Sequence, residues 1–136
     1  MKTVSIAGLV LAVLTAASPV AAKTYICKLQ ENGRTNFIPK IVRIDQNGGN
    51  VTVIDPLIDH YMGNPISAKI AVDNNRRTTF SWRLKGVKGR SSSGGATVSI
   101  SYRLTIQKSS HAATISAVIA SFDNKPSGQG SCEVRN

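Results

Sequence analysis

The chain has 136 residues, with 17 Lys and Arg against 7 Asp and Glu, and two cysteines. One domain fits that length; a doubly wound nucleotide-binding fold with a substrate domain, or a (β/α)₈ barrel, does not. A hydrophobic fraction of 41% with 18% charged residues belongs to a folded globular domain and excludes a disordered tail.

Residues 1–22 read as a secretory signal. Met1-Lys2 is a short positive start, residues 4–17 carry no charge, and Pro19 followed by Val20, Ala21 and Ala22 supplies a breaker and small residues for cleavage. A membrane anchor needs about 20 apolar residues, and no later stretch could span a bilayer. The expected mature domain is residues 23–136. Loss of Lys2 with the leader leaves sixteen Lys and Arg against seven acids, a formal +9. The expected location is exported, periplasmic or extracellular. In an oxidising compartment Cys27 and Cys132 read as a disulfide.

Beyond the leader, apolar and polar residues alternate, and period two predicts strands. In chain order they cover about 25–29, 40–45, 51–54, 66–72, 80–85, 97–106, 113–119 and 131–135. Val98, Ile100, Tyr102, Leu104 and Ile106 give the clearest case, with polar residues between them. Asn47-Gly48 predicts a two-residue hairpin pairing Ile44 with Val51. Asp73–Asn75 predicts a three-residue hairpin pairing Ala68 with Phe80, with Asn75 at positive φ. Cys27 opposite Cys132 sets Tyr25 opposite Val134. Every one of these registers gathers apolar residues on a single face, a mutual support expected of a foldable sequence.

The fold class predicted is all-β: a small closed antiparallel barrel of about eight strands, the first disulfide-linked to the last. A two-sheet sandwich is the alternative. Its interior is expected to be packed, with Tyr25, Phe80, Trp82 and Tyr102 as large fillers. Residues 55–65 are a long connection whose Leu57, Ile58, Tyr61 and Met62 plug one end. Residues 88–95 are a low-complexity loop between the longest strands. Ala112, Val118 and Ala120 give the seventh strand an apolar outer side that a loop is expected to cover.

The outward positions of the fourth to sixth strands carry Lys69, Arg77, Arg83, Lys85 and Arg103 among serines and threonines, Thr79 included, and no acid but Asp73 at the turn. Lys88 and Arg90 assist from the adjoining loop. Surfaces normally mix both signs. A one-sign face with interleaved hydroxyls can hold sulfates, phosphates or carboxylates through Arg forks and Ser or Thr hydrogen bonds; it also reads as a solvated face of a basic protein. The expected partners are an anionic glycan, lipopolysaccharide or an acidic protein. Nucleic acid is not expected, because the face lacks aromatic residues on which bases stack.

Tyr25-Ile26-Cys27-Lys28-Leu29, Phe37-Ile38-Pro39, His60-Tyr61-x-Gly63-x-Pro65, Phe80-x-Trp82-x-x-Lys85-Gly86 and the terminal Cys132 together resemble small exported alphaproteobacterial proteins of unknown function. The resemblance implies export and a β fold, and it carries no activity. At the level of fold the chain is also similar to periplasmic inhibitors of c-type lysozyme. Their loop motif is missing here, and a basic lysozyme would be repelled by a +9 domain.

Asp59-His60 could supply an oriented general base, but no nucleophile or oxyanion motif accompanies it. His60 and His111, the two histidines, lack a third ligand at metal spacing, and the glycines lack phosphate-loop spacing. No cofactor, metal or catalytic residue is expected. The function expected is non-catalytic: an exported binding module for anionic ligands. The alternatives are a carrier barrel for a small apolar ligand and an inhibitor of a cell-envelope enzyme.

Overall fold

The computed structural model describes residues 12–14, 21–91 and 94–136, with residues 90 and 91 described by backbone alone. Most of the expected signal segment therefore lies outside the described residues. Eight strands follow: β1 (Ala22–Glu31), β2 (Ile41–Asn47), β3 (Asn50–Ile54), β4 (Ile66–Asp73), β5 (Arg77–Ser91), β6 (Gly94–Gln107), β7 (Ala112–Ile119) and β8 (Ser127–Arg135). A short helix, α1 (Pro56–Met62), joins β3 to β4. Each strand pairs antiparallel with the next, and β8 returns to β1, so the sheet is a closed barrel and not a sandwich. Closure leaves no long sheet edge open to another chain.

Alternation makes the inside. Along β6 from Val98, and along β7, every second residue is buried, and Phe80, Leu84, Ile100 and Leu104 have no exposed surface. Tyr25 meets Phe80 edge-on at 5.2 Å, and Trp82 stacks on Tyr102 at 5.4 Å. The Tyr102 hydroxyl donates to the Phe37 carbonyl at 2.7 Å, tying the β1–β2 loop to the core. At the seam, Cys27 sits opposite Cys132 and Tyr25 opposite Val134, and the disulfide is formed. Glycine is required beside it: a Cβ on Gly130 would lie 1.9 Å from the Lys28 carbonyl oxygen, and one on Gly128 2.7 Å from that of Gln30. The two strands approach more closely than side chains there would allow.

Several registers differ from those expected. The first hairpin turns on Gly48-Gly49, pairing Asn47 with Asn50 and Ile44 with Val53. Gly48 has φ 63 and Gly49 does not share the positive φ, as a type II′ turn prefers. The second pairs Phe80 with Ile70 rather than Ala68, and Asn75 is not at positive φ. Instead, Asn74 Oδ1 accepts the Arg76 and Arg77 amides at 2.9 and 3.0 Å, a side-chain turn that needs no left-handed residue. In the first hairpin, and in the Ile70–Phe80 pairing of the second, the displacement leaves the expected apolar faces intact, because a two-residue change of register preserves which side faces in.

The connection 55–65 contains a helix that strand periodicity does not predict. Asp55 caps it, Oδ1 accepting from the Leu57 and Ile58 amides at 2.8 Å, and Pro56 stands at its start. Gly63, φ 70, ends it by donating to the Asp59 carbonyl at 2.9 Å. Ile58 is fully buried and Leu57 and Tyr61 pack against the core, as a plug should; Met62, expected in the plug, is exposed. The cap itself is buried, and burial raises the Asp55 carboxyl above the usual carboxylate range despite its two backbone donors. A carboxyl raised on folding favours the folded state while protonated, and that contribution is lost as pH rises through its folded value. Asp55→Asn keeps the Oδ1 acceptor and removes the titration. Its stability relative to the parent is therefore expected to increase with pH across the carboxylate range, whereas Asp55→Ala loses the cap at a cost of about 0.5–2 kcal/mol. Urea melts at several pH values check both.

Candidate basic face

The outer wall of β4, β5 and β6 is where the expected cations fall. Two adjacent cross-strand rows define its centre. In one, Lys69 faces Ser81, Ser81 faces Arg103, and Arg103 faces Ser116. In the next, Arg83 faces Ser101, and Ser101 faces Val118. Cations and serines thus alternate like the squares of a board. Diagonal neighbours on such a sheet are about 7–8 Å apart, so Arg83 stands within that distance of both Lys69 and Arg103. Lys69 and Arg103, two strands apart in one row, are about 10 Å apart. All three are exposed, and an open cleft of ≈ 360 Å³ is lined by Ser67, Lys69, Ser81, Arg83 and Ser101 together with the buried Trp82 and Tyr102.

Among the described residues the salt bridges are Arg43–Asp45 at 3.0 Å, Lys108–Asp73 at 2.7 Å and Arg135–Glu133 at 2.8 Å. No described carboxylate lies within ion-pair distance of Lys69, Arg83, Lys85, Lys88 or Arg103. The one acid near the face is occupied: Asp73 accepts from Lys108 and from the Thr78 hydroxyl at 3.3 Å. Lys108, foremost by its hydrogen bond, holds the Asp73 carboxyl below its ordinary range.

The structure separates the remaining candidates. Thr79, expected among the outward hydroxyls, is buried, with its hydroxyl 2.9 Å from that of Thr105. A bulge on β4 lies beside it: Ile70 pairs with Phe80 but Val72 with Thr79, leaving Ala71 extra. Arg77 is exposed beyond this closed patch, six residues along β5 from Arg83 and so about 20 Å away. A second bulge sets Lys85 and Gly86 against Ser99 alone, with Gly86 at φ 77. It shifts the alternation, so Val87 is buried and both Lys85 and Lys88 face out.

Residues 88–91 and 94–95, expected in a loop, are paired as strand. Lys88 pairs with Thr97 and Arg90 with Gly95, and the β5–β6 pairing runs on as far as Ser91 with Gly94. The Arg90 side chain lies outside the described residues. Nor is β7 covered: Val118 is exposed. Asp59 and His60 stand exposed on α1, where the His60 ring contacts Tyr61 at 4.8 Å and no hydrogen bond joins it to Asp59. Among the described residues no group of three His, Cys, Asp or Glu could hold a metal ion, and no helix is long and apolar enough to cross a membrane. Comparison with protein-family models, with curated proteins and with solved structures finds no match.

Proposed function

We propose that this protein is a non-catalytic, exported binding module that holds anionic ligands on the outer wall of β4, β5 and β6. The observation that carries the reading is the triangle of Lys69, Arg83 and Arg103, exposed, without carboxylate partners among the described residues, and interleaved with Ser81 and Ser101. Guanidinium forks and hydroxyls at that spacing suit neighbouring phosphate, sulfate or carboxylate groups. Phosphorylated or acidic glycans, lipopolysaccharide and acidic proteins carry such groups in series. Nucleic acid fits less well, since the wall offers no aromatic platform for bases. Lys85 and Lys88 extend the site along β5 toward Ser91; Arg77 stands apart from it. Export is supported by the leader-like residues 1–22 and by the Cys27–Cys132 disulfide, a bond that persists in oxidising compartments.

Replacing Arg83 and Arg103 together with Ser should weaken binding to heparin, used as a probe polyanion, by roughly tenfold or more. Exposed substitutions cost about 0.5 kcal/mol or less, so the melting temperature should stay nearly unchanged. Exposed charges are screened within about 8 Å at physiological ionic strength, so affinity should fall steeply between titrations in low and high salt. A parent protein that ignores heparin and lipopolysaccharide at low salt would end this reading.

A further inference from the structure

The two ends of the barrel differ. One end carries the tight hairpins at 48–49, 74–76 and 108–111. The other carries the long connections 32–40, 55–65 and 120–126 and the Ser91–Gly94 end of the β5–β6 pairing. Ile41, Met62, Val118 and Phe122 are the exposed large hydrophobic residues described in the domain, at 50%, 41%, 51% and 39% exposure. Three of the four lie at the second end: Ile41 begins β2, Met62 ends α1, and Phe122 stands in the β7–β8 connection, whereas Val118 faces Ser101 on the wall. Single exposed apolar residues are ordinary on any surface. The gathering of three of them at one end is what calls for a partner.

The backbone at that end points the same way. Asn36 and Ser121 adopt φ 60 and 69, a region that non-glycine residues seldom occupy. Each directly precedes an aromatic, and those aromatics, Phe37 and Phe122, line a cleft of ≈ 130 Å³ with Val98 and Ile119. The same end is basic. Lys40 adjoins Ile41, Lys125 follows Phe122 closely, and Lys85 and Lys88 stand on the outer stretch of β5, all exposed and none in a described ion pair. The exposed acids there are Asp59 and Asp123, fewer than the cations.

Apolar side chains ringed by cations at one end of a rigid body match the surface of an anionic bilayer, apolar groups entering the headgroup layer and ammonium groups meeting lipid phosphates. We propose that this end of the barrel docks on an anionic lipid surface, with Phe122 and Met62 inserted and Lys40, Lys85, Lys88 and Lys125 at the phosphates. The proposal goes beyond the anion-binding wall and uses other residues for insertion.

Flotation with phosphatidylglycerol-containing vesicles and with pure phosphatidylcholine vesicles tests it. The parent should float with the first and not the second. Met62→Ser combined with Phe122→Ser should reduce flotation at least tenfold while leaving heparin affinity and the melting temperature unchanged. Arg83→Ser with Arg103→Ser should do the converse, losing heparin and still floating, so failure of either reading shows separately. Absence of flotation by the parent, or equal flotation by the Met62 and Phe122 variant, would overturn the proposal. So would a dimer in sedimentation velocity that the same variant dissociates, because the apolar end would then be covered by a second copy.

Discussion

Replacing Cys132 with Ala is expected to lower stability by about 2–5 kcal/mol. The bond closes a sequence separation of 105 residues, and for loops of that size the chain-entropy argument gives about 4–5 kcal/mol. The seam it crosses has little else to hold it. Opposite Glu31, Leu29, Cys27 and Tyr25, β8 places Gly128, Gly130, Cys132 and Val134, so two of these four bring no side chain to the seam. The disulfide stands where other strands place Ile, Leu or Phe. Urea denaturation of parent and variant without reductant reads the difference. Identical midpoints would show that the seam is held by its backbone ladder alone, and two free thiols in the unfolded, unreduced parent would remove the bond from the account.

Trp82→Ala is expected to cost about 3–5 kcal/mol. Trp82 lies at the middle of the barrel wall, is 5% exposed, and stacks on Tyr102 with 21° between the rings. Truncation would empty the largest side-chain volume in the interior and remove the surface on which Tyr102 rests. The Tyr102 hydroxyl in turn holds the Phe37 carbonyl, so loosening is expected to reach the β1–β2 loop. Trp82→Phe keeps a stacking ring and should cost distinctly less. As the single tryptophan, it also reports on itself: native fluorescence should be blue-shifted and poorly quenched by iodide. Red-shifted emission with free quenching would contradict its burial.

The barrel was legible in the sequence because its two organising signals are local and redundant. Alternation assigns the inward face of each strand, and turn residues set where strands reverse. Asn47-Gly48-Gly49 contains two acceptable two-residue turns, so the reversal could be misplaced by one residue without exposing Val42, Ile44, Val51 or Val53. The cysteine register followed from the same parity. What stayed hidden was irregular. Helix α1 is too short to show a 3.6-residue pattern, although Asp55-Pro56 at its start and Gly63 at its end are recognisable helix punctuation. The Ala71 bulge, which sets Val72 against the buried Thr79, has no residue signature. Gly86 was the visible sign of the second bulge, since a glycine inside a strand pattern often marks one. The one-sign wall was readable as a list of cations. Its contraction to Lys69, Arg83 and Arg103 needed the register.

That contraction is open to a charge-matched comparison. Arg76 and Arg77 lie at the β4–β5 turn, beyond buried Thr79, whereas Arg83 and Arg103 flank Ser81 and Ser101 on the wall. Changing either pair to Ser removes the same formal charge. Calorimetric titration of heparin into the two double variants at the same salt therefore isolates position from net charge. The account predicts roughly tenfold or greater loss for the Arg83 and Arg103 variant and near-parental affinity for the Arg76 and Arg77 variant. Equal losses would contradict it, reducing the wall to a share of the protein's overall positive charge.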